Sequence, residues 1–440
     1  MGHTVITFLG VRPNKTEYEY QGKTYTGEVF AEAMREFLEF DRMLVFVTEE
    51  AKKESWPVLQ KHNDPRIQEV LIPTGESETE VWEIFDTVIQ HVPEGEEVTF
   101  DITHGLRSIP FLVFLFAAYL RSAKQVKIRS ILYGAFELRK REGNQSRPAP
   151  VFDLSKFTTM LEWINATDQF IQTGDAYRLA ALLEEVKQQK KAAETLKNVS
   201  QAALLCQPLT LMKKANELEP DLNKAADSFS TTSQPFKVLS KRILDTFSAF
   251  ALREPLKNPQ QFLEREWKLI QWYREHGQLI QALTLAREFL LDFIYYKLKN
   301  SIDLKRRERM KMERALSGLE QLMINQKKTN RASDQNQDES SNGQVCTPED
   351  LNPYGRQIHD QWENWEDIAC LYSELGQVRN QLNHAEHQAD AMKLRKIKQK
   401  AEENLDQLHK LLVDMQFLTI PPQEQPCTSS PSSANNPSLT

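Results

Sequence analysis

Cysteine is scarce in this chain of 440 residues: only Cys206, Cys346, Cys370 and Cys427 are present. They stand far apart and form no Cys-x-x-Cys pair, which excludes a zinc ribbon or a disulfide framework as the basis of the fold and makes a reducing cytoplasm the expected setting. A surplus of positive charge is also missing, since 55 Lys and Arg face 62 Asp and Glu for a net charge of -7. That excludes a protein that coats nucleic acid by bulk attraction to phosphate, so any RNA contact has to be local. No short helix-turn-helix with a basic recognition helix is present, and stable DNA binding is not expected. The most apolar run, Pro110 to Leu120, is too short to cross a bilayer, and the N-terminus leads into a strand pattern without a charged region followed by an apolar stretch. Neither a leader peptide nor membrane association is expected. His3, His62, His91, His276, His359 and His409 lack partners at metal-ligand spacing, so no metal is expected.

With 40% apolar residues the chain can bury two cores. In its first third, β-rich runs at Val5 to Leu9, Met43 to Val47, Ile67 to Ile72, Val98 to Asp101 and Ile128 to Tyr133 alternate with helical patterns at Gly27 to Phe40, Lys52 to Lys61, Glu78 to His91 and Pro110 to Ser122. This alternation predicts a Rossmann-like α/β domain with a mostly parallel sheet covered on both faces. Tyr18 to Tyr20 and Thr24 to Thr26 flank Gln21-Gly22-Lys23 and predict a hairpin standing beside the sheet's carboxyl edge. From Leu154 onward the patterns are helical.

The loops at strand ends carry the first candidate site. The run from Asp101 to Pro110, DITHGLRSIP, joins a strand to an apolar helix where open α/β sheets place their ligands. Gly105 permits close backbone approach, Thr103, His104 and Arg107 offer donors to a phosphate or base, and Ser108 and Pro110 suit a helix start. Gly10, Val11 and Arg12 after the first strand, and Thr74 and Gly75 after the third, lie at comparable height. Strand-to-helix punctuation alone also accounts for Gly, Pro and Ser in such loops. A dinucleotide dehydrogenase is set aside because the first strand is followed by GVRPNK and not GxGxxG, and there is no Walker A sequence.

A second candidate lies near the other end. Ile368, Leu371, Leu375, Val378, Leu382 and Ala385 recur at spacings of three and four, predicting one amphipathic helix from Trp365 to His387. At about 100° per residue Asn380, His384 and His387 share its polar face, with Arg379 at the edge of the stripe. An Arg beside a His provides the proton mover and the cation that metal-free RNA cleavage needs. A solvated helix face is the plain alternative. A helix at Leu279 to Leu298 is expected to pack on it, with Glu288 as an ion-pair partner and Trp267, Trp272, Tyr273, Trp362 and Trp365 as packing anchors and not base-stacking groups.

On these residues the chain resembles the CARF-HEPN ribonucleases of type III CRISPR systems, in the branch with Asp-x-Thr-His-Gly-x-Arg at the end of the fourth sheet strand, here Asp101, Thr103, His104, Gly105 and Arg107. FLG at Phe8 to Gly10, the stretch from Asp153 to Asp175 and that from Trp272 to Glu288 extend the likeness over most of residues 1 to 420. The resemblance implies a CARF domain at 1–150 that binds a cyclic oligoadenylate as allosteric activator through Gly10, Val11, Arg12, Thr74, Gly75, Thr103, His104, Gly105 and Arg107. It implies a helical linker region at 151–260 and a HEPN domain at 261–420, while composition, polar with almost no apolar residues in the one and dominated by Pro, Ser and Asn in the other, predicts a disordered insertion at 325–345, a departure from the family pattern, and a disordered tail at 421–440. The HEPN signature Arg-x4-6-His matches Arg379 to His384, so Arg379, Asn380 and His384 are the implied catalytic residues, cutting single-stranded RNA without a metal in a homodimer or higher homo-oligomer. Two alternatives stay open: a regulatory protein that only senses the ligand, and a CARF domain that degrades it.

Overall fold

A computed structural model of the protein describes residues 2–104, 109–139, 141–142, 145–186, 189–228, 233–302, 305–334, 347–383 and 393–418. The chain divides into two compact units, Met1–Asn165 and Ala166–Thr440.

The first unit runs β1 (His3–Phe8), β2 (Thr16–Tyr20), β3 (Lys23–Gly27), α1 (Phe30–Phe37), β4 (Arg42–Val47), α2 (Glu49–Glu54), α3 (Trp56–Gln60), β5 (Ile67–Leu71), α4 (Glu78–His91), β6 (Glu97–Asp101), α5 (Ile109–Lys124), β7 (Lys127–Gly134) and β8 (Ala149–Asp153). One eight-stranded sheet has the order β3-β2-β8-β7-β6-β1-β4-β5. Its five strands from β7 to β5 are all parallel. β1 and β4 are buried on nearly every residue, as the unbroken apolar and β-branched runs HTVITF and RMLVFV require of strands covered on both faces. Ile84, Val88, Val113 and Phe116 of α4 and α5 pack on Ile6, Phe46 and Phe100 on one face. Phe30, Met34 and Leu59 of α1 and α3 pack on Val5, Met43 and Val45 on the other. Each such side chain stabilises the unit by about 1.5–3 kcal/mol. The expected Rossmann-like architecture is therefore present.

Local departures have physical causes. The helix expected from residue 52 to 61 is two short helices, divided at Ser55, whose hydroxyl turns inward to donate to the Gly10 carbonyl at 2.6 Å, while Pro57 begins the next turn. The helix expected from residue 27 begins only at Phe30, because the Glu32 carboxylate accepts from the Glu28 and Val29 amides at 2.6 and 3.3 Å and fixes the start there. The expected hairpin forms, with Gln21 and Gly22 both at positive φ, 51° and 79°, as a two-residue turn between twisted strands requires. Its place differs from expectation. It does not stand beside the carboxyl edge but extends the sheet, because β8 pairs antiparallel with β7 and parallel with β2. Pro148 and Pro150, which cannot donate to a ladder, hide this strand from a pattern reading. It carries the sheet unit past residue 150, where the sequence expectation ends it, and the unit closes at Asn165.

Beyond it run α6 (Ser155–Thr173), which spans the division, then α7 (Tyr177–Glu185), α8 (Lys190–Leu204), α9 (Pro208–Ser228), α10 (Ser233–Phe247), α11 (Pro259–Glu275), α12 (Leu279–Lys299), α13 (Arg306–Asp334), α14 (Pro353–Gln361), α15 (Trp365–Asn383) and α16 (Leu394–Asp414). Helices α7 to α10 pack each on the next and bury Leu183, Leu196, Leu211, Leu222 and Ile243. Much of the expected linker is therefore a packed helical body. Helix α15 lies against α12, α13 and α16. α13 continues to Asp334, ten residues into the segment 325–345 expected to be disordered. Its helix is already set by buried Met312, Leu316, Leu319 and Leu322, and residues 325–334 contain no Gly or Pro to stop it. Residues 335–346 and the tail at 421–440 lie outside the described residues. Among those described, no helix is long and apolar enough to cross a membrane.

Candidate functional site

In the sheet order, β1 has β4 on one side and β6 on the other, so the direction of winding reverses between β1 and β6. The carboxyl ends of those two strands therefore diverge into loops on opposite faces and leave a crevice between them. Two side chains tie the crevice floor together. The buried Thr7 hydroxyl of β1 donates to Asp101 Oδ2 of β6 at 2.6 Å, and Asp101 Oδ1 accepts the Thr103 amide at 2.7 Å. Thr103 Oγ1 in turn accepts the Gly134 amide at the end of β7, at 2.8 Å. Three strand ends are thus laced across the switch point. Burial is the largest influence on Asp101 and raises its pKa to about 6, against the two donors that lower it.

The next residue, His104, stacks on Phe136 with ring centroids 5.8 Å apart, and its buried Nε2 has no hydrogen-bond partner among the described residues. Burial lowers its pKa and so favours the neutral imidazole. Close by in the fold, at the ends of β1, β4 and β5, a recess of about 120 Å³ is lined by Leu9, Gly10, Val11, Thr48, Ile72 and Ile109. Gly10 and Val11 are thus where a ligand at the switch point would meet backbone, while Arg12 is exposed on the same loop.

Thr74 and Gly75 are placed differently. The Glu80 carboxylate Oε2 accepts the Gly75 and Glu76 amides at 2.8 and 3.1 Å and the Thr74 hydroxyl at 3.3 Å. The loop after β5 is an anion-binding concavity already filled by the chain's own carboxylate. Gly105, Arg107 and Ser108 lie outside the described residues.

In the helical unit, α15 buries Ile368, Leu371, Leu375 and Val378 of the expected stripe, together with Tyr372, while Leu382 is half-buried and Ala385 lies outside the described residues. Arg379 is half-buried at its edge, Asn380 is exposed, and Arg379 Nη2 donates to Asn380 Oδ1 at 3.0 Å. Arg379 Nε is buried and has no partner among the described residues. His384 and His387 lie outside them. Alongside, Arg287 of α12 lies over the Tyr372 ring at 4.5 Å and donates to its hydroxyl at 2.5 Å. Glu288 pairs with Arg287 at 3.1 Å and with Arg309, the structural role expected of it. Trp267, Trp272 and Tyr273 are buried in the packing of α11. Among the described residues no three His, Cys, Asp or Glu side chains are grouped to hold a metal ion.

The sequence reading did not single out Thr7, Gly134 and Phe136. The visible signal for Thr7 is a hydroxyl inside an otherwise apolar, doubly covered strand, where it needs a partner.

Residues 4–137 match the family model described as the CARF domain of the CRISPR system endoribonuclease Csx1. The sheet unit is thus similar to the CARF domain of the Csx1 type. Residues 159–253 match a second model, the second domain of CRISPR-associated protein MJ1674. The CRISPR-associated protein MJ1674 of Methanocaldococcus jannaschii is 33% identical over 161 residues, which cover 36% of this chain and 24% of that relative. The matched part spans about a quarter of the relative's length.

Proposed function

We propose that this chain is a cytoplasmic endoribonuclease of type III CRISPR defence, switched on when a cyclic oligoadenylate binds at the β1/β6 switch point. The observation that carries the reading is the laced crevice of a unit similar to the Csx1 CARF domain: Thr7, Asp101, Thr103 and Gly134 tie together the ends of the strands that lead to His104 and to Gly10 and Val11. Backbone at Gly10 and donors from Arg12, Thr103, His104, Gly105 and Arg107 suit adenylate phosphates and bases. A ring of phosphates with a two-fold axis suits two copies of this crevice, so the active form is a homodimer. In support, α5 exposes Phe111, Leu115 and Tyr119 at successive turns, beside exposed Trp82 of α4.

The cut is made by Arg379, Asn380 and His384. The RNA 2′-hydroxyl loses its proton to an imidazole and attacks the adjacent phosphorus. The bond to the 5′-oxygen breaks, and that oxygen takes up a proton. The products are a 2′,3′-cyclic phosphate and a 5′-hydroxyl. The Arg379 guanidinium offsets the charge that builds on the phosphorane, and Asn380 orients it. No metal enters this scheme. The test is cleavage of labelled single-stranded RNA with EDTA present, with cyclic tetra- and hexa-adenylate added separately. Cleavage that needs one of these rings, and that falls by at least about 100-fold in Arg379→Ala and in His384→Ala, is the expected result. Ligand binding without RNA turnover would make the protein a sensor that acts through a partner.

His104, which burial favours as the neutral imidazole and whose Nε2 has no partner among the described residues, favours a second activity, slow opening of the bound ring by its own CARF domain. Full-length protein incubated with the activating ring would then yield linear product, and His104→Ala would not.

A further inference from the structure

The helical unit contains a second cavity, remote in sequence from Arg379 and unused by the proposed reaction. It has a volume of about 300 Å³ and lies between α11, α12 and the start of α9. Its walls are largely apolar, from Pro208, Leu209, Phe262 and Leu285, yet Glu266 of α11 and Asp292 of α12 both line it. Glu266 is 1% exposed, and its Oε2 has no hydrogen-bond partner among the described residues. The third acidic group at the wall, Glu288, is already paired with Arg287 and Arg309. No ion pair to Glu266 or Asp292 is present among the described residues.

A buried carboxyl oxygen without a donor among the described residues, as in Glu266, is costly, and a second carboxyl, the half-buried Asp292, beside the same cavity adds to what needs an explanation. Burial raises the pKa of Glu266 well above the usual range and that of Asp292 to about 7. Glu266 is raised further by the neighbouring charge of Asp292. A packing role alone would be better filled by Leu or Gln. The geometry specifies what would complete the site: a cation with several N–H donors for the carboxylates, carried on a short hydrocarbon chain for the apolar wall.

We propose that this cavity binds a small aliphatic amine, its ammonium group between the Glu266 and Asp292 carboxylates and its methylenes along Leu209, Phe262 and Leu285. A metal ion fits less well, because the third carboxylate at the wall, Glu288, is held by Arg287 and Arg309, and among the described residues no three His, Cys, Asp or Glu side chains are grouped to hold one.

The test is isothermal titration calorimetry of the full-length protein with putrescine, beside 1,4-butanediol and magnesium chloride at matched ionic strength. Saturable binding of putrescine at millimolar concentration or below, with none of the diol, is expected. Glu266→Gln and Asp292→Asn keep the side-chain volume and are expected to weaken it by about 30-fold or more. Leu209→Trp provides a variant that leaves the carboxyls intact, since Leu209 is 37% exposed and its replacement fills the cavity from the outer wall; it is expected to abolish binding. No saturable putrescine binding, or equal affinity in wild type, Glu266→Gln and Leu209→Trp, would overturn the proposal. Magnesium that binds while putrescine does not would overturn it too.

Discussion

The two candidate sites are built in opposite ways. At the switch point of the sheet unit, the groups are fixed before any ligand arrives: Asp101 is fully buried, holds Thr7 and Thr103, and reaches β7 through Gly134. On α15, Arg379 bonds only to its neighbour Asn380 among the described residues, and its Nε is left without a partner. A receptor gains affinity from rigidity paid for in folding. A reactive patch that must be switched off gains from being incomplete. The difference implies that mutations in the first site act mainly on stability and ligand affinity, and those in the second almost wholly on turnover.

The strongest test of that contrast is Asp101→Ala. It leaves the buried Thr7 hydroxyl and Thr103 amide without acceptors, and a loss of about 3 kcal/mol is expected in urea unfolding followed by circular dichroism. A loss below about 1 kcal/mol would mean that the lacing adds little to the fold.

Asp101→Asn isolates the charge from the geometry. The carboxyl rises from 3.8 to about 6 on folding because it is buried. Between those values the folded chain holds a proton that the unfolded chain has released, so this group's contribution to stability declines as pH rises toward 6 and is flat above it. Two pKa units correspond to about 3 kcal/mol. Asparagine still accepts the Thr103 amide but cannot ionise, so the stability difference between wild type and variant should change by up to this amount from pH 4 to 7, in favour of the variant at the higher pH. Parallel curves would show that Asp101 titrates normally.

Gly134→Ala probes the far end of the lacing. A Cβ there would stand 2.9 Å from the rings of both Phe30 and Tyr18, each fully buried, so neither can yield without displacing β7. A cost of about 2 kcal/mol is expected, with a matching loss of affinity for the cyclic oligoadenylate because the same residue's amide holds Thr103.

How much of this was legible in the sequence follows from the range of the forces involved. The five parallel strands and α4 were readable because burial on both faces writes continuous apolar runs and a 3.6-residue period into the chain. β8 was not, since a strand of five residues containing Pro150 is set by its neighbours β7 and β2 and not by its own pattern. In the candidate site the motif from Asp101 to His104 was visible, but Asp101's partner Thr7 lies 94 residues away and is specified only by strand order. Thr74 and Gly75 read as ligand donors because nothing local reveals that Glu80 would turn back onto their amides. The Glu266 and Asp292 cavity was hidden for the same reason: each acid alone is an ordinary helix residue, and only the packing of α11 on α12 brings them to one wall.

The smallest stability effect belongs to the other half of the comparison. Arg379→Ala removes a half-buried side chain whose one hydrogen bond among the described residues is to the adjacent Asn380, and the stripe from Ile368 to Val378 that anchors α15 is untouched. Unfolding free energy should change by no more than about 0.5 kcal/mol. Affinity for the cyclic oligoadenylate should likewise be retained, while RNA cleavage is lost. If the variant instead lost several kcal/mol, Arg379 would be a packing residue of the helical unit, and a guanidinium fixed in that way would not be free to meet a phosphate.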